Sequence, residues 1–211
     1  MRNVGLALIL ASSALGSAAQ AETITIAALG DSLTQGYGLM QDDGFTAQLE
    51  VWLRAQGADV EVINAGVSGD TTAGGLSRVA WTLTPEVDAM IVALGGNDLL
   101  RGIDPAVSRA NLDGILAAGQ GAGVDMLLVG MEAPLNYGPD FKADFDAMYP
   151  DLAAQYDTPL YPAFFDGLTS DGDIESARAA YMQVDGIHPN RDGVARIVEA
   201  MGPAVLDLIR D

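Results

Sequence analysis

Two kinds of apolar stretch alternate along this chain: short unbroken runs, partly β-branched, and longer segments spaced by threes and fours. Ile24, Ile26, Ala27, Ala28 and Leu29 make the first short run, which stops at Gly30. Such a run predicts a strand buried on both faces, as in a parallel sheet. Phe45 to Gln56 then puts Phe45, Leu49, Trp52 and Leu53 on one helical face and stops at Gly57. Val60 to Ile63 reads as a second strand, followed by a helix from about Thr72 to Leu83 that ends before Pro85. Ala89 to Leu94 is a third strand. The next helix is capped near Asp104, has Pro105 in its first turn and continues to about Ala118. Gly119, Gly121 and Gly123 lead into a strand at Met126 to Val129, and a loop with Pro134 and Pro139 precedes a helix through Met148. Leu160 to Phe165 reads as a short fifth strand, with Pro162 counting against it. Thr169 to Val184 shows no clear period. The last helix begins near Asn190, carries Val194, Ile197, Val198, Met201, Val205 and Leu208 on one face, and has Pro203 placed to kink it.

This alternation is that of βαβ units, a parallel sheet covered by helices on both faces. Of the 211 residues none is Cys, so disulfides and thiolate metal sites are excluded. Residues 1–21 have the form of a secretory leader: Arg2, an apolar core from Val4 to Leu10, and Ala19-Gln20-Ala21 as an A-x-A cleavage site. The apolar stretch is short for an anchor and is broken by Ser12, Ser13 and Gly16. Residues 22–211 are therefore expected to form a single exported domain, starting at Glu22, with no stable membrane anchor. The net charge of −19 becomes −20 without Arg2. So acidic a chain is expected to bind no nucleic acid.

Chemistry gathers where strands end. Ser32 follows the first strand in Gly30-Asp31-Ser32-Leu33, where open α/β sheets place their ligands. Alone, Ser32 also reads as a helix N-cap. His188, the one histidine, lies in Asp185-Gly186-Ile187-His188-Pro189 just before the last helix. Asp185, three residues earlier, is spaced to reach the imidazole nitrogen that does not face a substrate. A serine hydroxyl needs such a base to act as a nucleophile. Ser32, His188 and Asp185 are thus the candidate triad. Acyl transfer further needs donors for an oxyanion. The Ser32 N–H, the Asn97 side chain in Gly95-Gly96-Asn97-Asp98, and a glycine N–H in the 66–69 turn are candidates, with composition unable to separate Gly66 from Gly69.

With GDSL at 30–33, SGDT at 68–71, GGND at 95–98 and DGIHP at 185–189, the chain resembles the GDSL or SGNH hydrolases. It is nearest in pattern to the bacterial periplasmic group of multifunctional thioesterase I, lysophospholipase and arylesterase. The resemblance extends over about residues 24–209, and includes Asn64, Arg101-Gly102, Asn136-Tyr137-Gly138 and Asn190-Arg191. It implies a three-layer α/β/α sandwich with five parallel strands in flavodoxin-like order. It implies Ser32 as nucleophile, His188 as base, Asp185 as the acid that orients it, and Ser32 N–H, Gly69 N–H and Asn97 as the oxyanion hole. The G-x-S-x-G elbow of α/β-hydrolases is absent, since Thr34 stands where its second glycine would be.

The expected activity is hydrolysis of acyl esters, thioesters or lysophospholipids through an acyl-serine, by a monomer with no cofactor or metal. Carbohydrate O-acetyl ester hydrolysis at the same site is an alternative, and a non-catalytic small-molecule binder a more distant one. Neither G-x-G-x-x-G nor a P-loop lysine motif supports nucleotide binding. Asp171-Gly172-Asp173 with Glu175 lacks EF-hand spacing. Leu76, Met131, Pro134, Leu135 and Tyr137, in loops 67–77 and 131–140, are candidates to line an acyl groove.

Overall fold

The computed structural model describes residues 23–169 and 174–210; the expected leader and Asp171–Asp173 lie outside them. Among the described residues, five parallel strands form one sheet: β1 (Ile24–Gly30), β2 (Val60–Gly66), β3 (Ala89–Ala93), β4 (Asp125–Val129) and β5 (Leu160–Tyr161). Their order is β2-β1-β3-β4-β5, the flavodoxin-like order. The helices are α1 (Ser32–Gln35), α2 (Phe45–Ala55), α3 (Thr72–Thr82), α4 (Gly96–Arg101) and α5 (Pro105–Ala122). They continue with α6 (Pro139–Tyr156), α7 (Asp166–Thr169), α8 (Ile174–Tyr181) and α9 (Arg191–Leu208).

Alternation along β1 divides the core. Ile26 and Ala28 face one layer with Phe45 and Leu49 of α2 and Ile197 and Met201 of α9. Ala27 and Leu29 face the other with Val79 of α3, Leu112 of α5 and Phe145 of α6. Burying each large aliphatic side chain is worth about 1.5–3 kcal/mol, which is why β1 and β3 must be apolar on both faces. The sandwich thus has three layers.

Two helices outrun their expected ends, α5 at a glycine and α6 at a proline, while α9 ends where expected. α5 passes Gly119, where a Cβ would collide with the Met126 sulfur, so this glycine serves close helix–strand packing and not termination. Gly123, with φ 71°, ends the helix instead. α6 continues past Met148 and Pro150 to Tyr156, and α9 runs through Pro203 to Leu208. β5 is only two residues long, because the chain leaves the sheet at Pro162.

For function, register matters most. Gly30 lies level with Gly66 of β2 and Ala93 of β3, so the loops after three adjacent strands leave one edge of the sheet side by side. No helix among the described residues is long and apolar enough to cross a membrane.

Candidate active site

Ser32 is not the helix cap. Asp31 takes that position, its Oδ1 accepting the Leu33 N–H at 3.0 Å. That leaves Ser32 as the first residue of α1 with its hydroxyl free for other partners. Gly30 must lack a Cβ because the Thr34 side chain packs where one would stand.

The His188 loop is folded by its own aspartate. Asp185 Oδ1 accepts the N–H groups of Ile187 at 2.9 Å and His188 at 3.1 Å, and Gly186 takes φ 68°. Asp185 Oδ2 lies 2.7 Å from His188 Nδ1. With Nδ1 donating to that carboxylate, Nε2 is left to accept, and it stands 2.8 Å from Ser32 Oγ. The imidazole and the two backbone N–H groups hold the Asp185 carboxyl at about 2, so it is ionised at neutral pH. Gln183 Nε2 donates to Tyr37 O at 2.7 Å and Pro189 O at 2.9 Å, tying this loop to the one that follows Ser32. The Tyr37 ring covers the imidazole at a centroid distance of 4.6 Å.

The structure separates the two glycines. Gly66 ends β2, where a Cβ would meet the Gln35 backbone; Gly69 has φ 85° in the turn before α3. Among the described residues the Gly69 N–H has no partner, while its carbonyl accepts from Arg101 Nη2 at 2.7 Å. Asn97 lies in the first turn of α4, its Nδ2 donating to Asp31 Oδ2 at 3.1 Å. Asp98 beside it is fully buried. Behind the loops, Arg78 binds Asp70, at 2.6 Å, and the carbonyls of Ala65 and Gly30, at 2.6 and 2.8 Å, fastening the ends of β1 and β2 together.

A cleft of about 570 Å³ opens from Ser32 and Asn97 along Leu99, Leu100 and Met131 towards Phe165, Leu168, Met182 and Ile187. Of the groove residues expected from sequence, Met131 lines it. Leu76 does not, because it packs between α3 and α5 over Gly114. Pro134 and Leu135 are exposed, and Tyr137 folds onto Phe141, 4.9 Å between centroids, with its hydroxyl donating to Leu100 O at 3.3 Å. The cleft turns towards α7 and α8, whose segment has no legible period in the sequence. Asp31, Asp98 and Arg101 were likewise unassigned by sequence reasoning; acidic residues beside apolar strand ends were the available signal for the first two.

A serine–imidazole–carboxylate chain at the C-terminal edge of a parallel sheet is an arrangement suited to acyl transfer, from esters or amides alike. The model of the GDSL-like lipase/acylhydrolase family matches residues 28–196, and the chain belongs to that family. Esterase TesA of Pseudomonas aeruginosa is 38% identical over 191 residues, 90% of this chain and 92% of that protein. Thioesterase 1/protease 1/lysophospholipase L1 of Escherichia coli is 36% identical over 194 residues, covering 91% and 87%. The crystal structure of AlinE4, an SGNH-hydrolase family esterase, superposes with a TM-score of 0.72 at 43% identity, covering 91% of this chain and 100% of that one. The enzyme is a carboxylic ester hydrolase.

Proposed function

We propose that Ser32 is the nucleophile of this hydrolase and that its substrates are acyl esters and thioesters, lysophospholipids included. His188 Nε2 takes the Ser32 hydroxyl proton as Oγ attacks the acyl carbonyl. The oxygen turned anionic is met by the Ser32 and Gly69 N–H groups and the Asn97 amide. Collapse expels the alcohol or thiol, which takes its proton from His188, and leaves an acyl-serine. Water, deprotonated by His188, then attacks that ester and releases the acid and the serine. Asp185 remains ionised and stabilises the imidazolium formed at each transfer.

The observation that carries this is the unbroken chain Asp185 Oδ2–His188 Nδ1, 2.7 Å, and His188 Nε2–Ser32 Oγ, 2.8 Å. The apolar walls of the cleft favour an acyl chain over a sugar, and the names of the relatives favour ester and thioester substrates. A serine-directed organophosphonate followed by intact mass and peptide mapping tests the assignment. One adduct on the Ser32 peptide is expected; an adduct elsewhere, with Ser32 unmodified, contradicts it.

The reading of residues 1–21 as a leader belongs to the same proposal: cleavage after Ala21 and release to the periplasm or medium. N-terminal sequencing of the protein from fractionated cells should give Glu22 in the soluble periplasm. A chain beginning at Met1 in the membrane fraction would contradict it.

A further inference from the structure

Asp31 is an unexpected place for a charge. It is 2% exposed, and burial pushes its carboxyl above the usual carboxylate range. Capping α1 does not require it, since a neutral asparagine caps a helix as well. Its second oxygen does something a cap does not need, accepting from Asn97 Nδ2 at 3.1 Å. The approach is close: a Cβ on residue 96 would stand 3.1 Å from that oxygen, and Gly96 has none.

The chemistry of the pair fixes a direction. An asparagine amide is nearly symmetric in shape but has a donor end and an acceptor end. An ionised carboxylate only accepts. The Asn97 amide must therefore turn its nitrogen towards Asp31, which uses one N–H and leaves the second on that same nitrogen. Turned over, the amide would set its carbonyl oxygen against a carboxylate, and would offer an acceptor where negative charge develops. We infer that Asp31 is a positioning residue, orienting the Asn97 amide so that an N–H faces the reaction centre. This rests on the proposed reading of Asn97 as an oxyanion donor.

The test is a cycle of Asp31→Asn, Asn97→Ala and the double variant, with kcat and KM on a short-chain p-nitrophenyl ester and thermal unfolding at pH 7. Asparagine at 31 keeps the cap and the shape but can present either end of its amide. Asn97→Ala should lower kcat by about 10²–10³. Asp31→Asn should lower kcat by at least about 10-fold with KM little changed, and should leave Tm equal or higher. The double variant should match Asn97→Ala alone within about twofold, because Asp31 acts through Asn97. Asp31→Ser, which caps but can also donate, should show the same loss. Multiplied losses in the double variant, or a lowered Tm with unchanged kcat, would overturn the positioning role. An unimpaired Asn97→Ala would remove the oxyanion reading and this role with it. Phosphonate labelling at Ser32 in Asp31→Asn separates either failure from a failure of the nucleophile assignment.

Discussion

Asp98 and Thr72 are joined by two hydrogen bonds: the carboxylate accepts the Thr72 N–H at 2.8 Å and the Thr72 hydroxyl at 2.6 Å. Ser108 Oγ donates to the same carboxylate at 2.8 Å, and Asn111 donates to Thr72 Oγ1 at 3.0 Å. Thr72 opens the helix that follows the Gly69 turn, and Asp98 neighbours Asn97. One buried carboxylate thus keeps two of the proposed oxyanion donors in register. Asp98→Ala would leave buried donors without a partner, at about 1–3 kcal/mol each. Urea denaturation should show a loss of at least about 2 kcal/mol.

Ser32 and His188 should behave as a single unit. His188→Ala is expected to be nearly as damaging to kcat as Ser32→Ala, and the double variant little worse than either. Asp185→Asn should be comparable or milder, disturbing imidazole orientation more than substrate binding. Steady-state kinetics on one ester checks all four; multiplicative losses for Ser32 and His188 would mean independent action.

The two glycines of the second loop should fail differently. Gly69→Ala places its Cβ in open space, with Arg101 Nη2 at 3.8 Å, so its cost is the left-handed φ of 85°, about 1–2 kcal/mol. It should fold and lose kcat as the N–H relaxes away. Gly66→Ala drives a Cβ into the Gln35 backbone and should lose far more stability. Thermal melts beside kcat values distinguish the two.

Stability should respond to pH in opposite senses at the two site aspartates. The Asp185 pKa is about 2 in the fold against about 3.9 unfolded. Its contribution is present above pH 4 and lost as pH falls from about 4 to 2. With its side chain 34% exposed, solvent screening keeps that contribution modest. Asp31 is raised, so its carboxyl favours the fold below the unfolded pKa and that advantage is lost as pH rises through the folded one. Calorimetry should find Asp31→Asn stabilising at pH 7 but not at pH 3. Asp185→Asn should destabilise at pH 7 and less so near pH 2.

Legibility followed burial. β1 and β3 are apolar on both faces and stood out as unbroken runs, whereas β2 exposes Glu61 and Ile63 and showed only its first part. Gly119 looked like a helix stop because nothing local announces that Met126 packs against it. The Ser32–His188 hydrogen bond spans 156 residues, and residue types and strand ends were enough to name the two as partners before the fold brought them together. The cleft was not. Its walls come from Leu99, Phe165 and Met182 on separate segments, with no period linking them, while Leu76 and Tyr137 were spoken for by neighbours far along the chain.

The most direct measurement is kcat for Ser32→Ala on a p-nitrophenyl ester, made on protein shown by circular dichroism and thermal melting to be folded. Loss of the nucleophile removes the covalent route and should lower kcat by at least about 10³-fold. A folded Ser32→Ala enzyme that keeps a tenth of wild-type turnover would contradict the assignment of Ser32 as nucleophile.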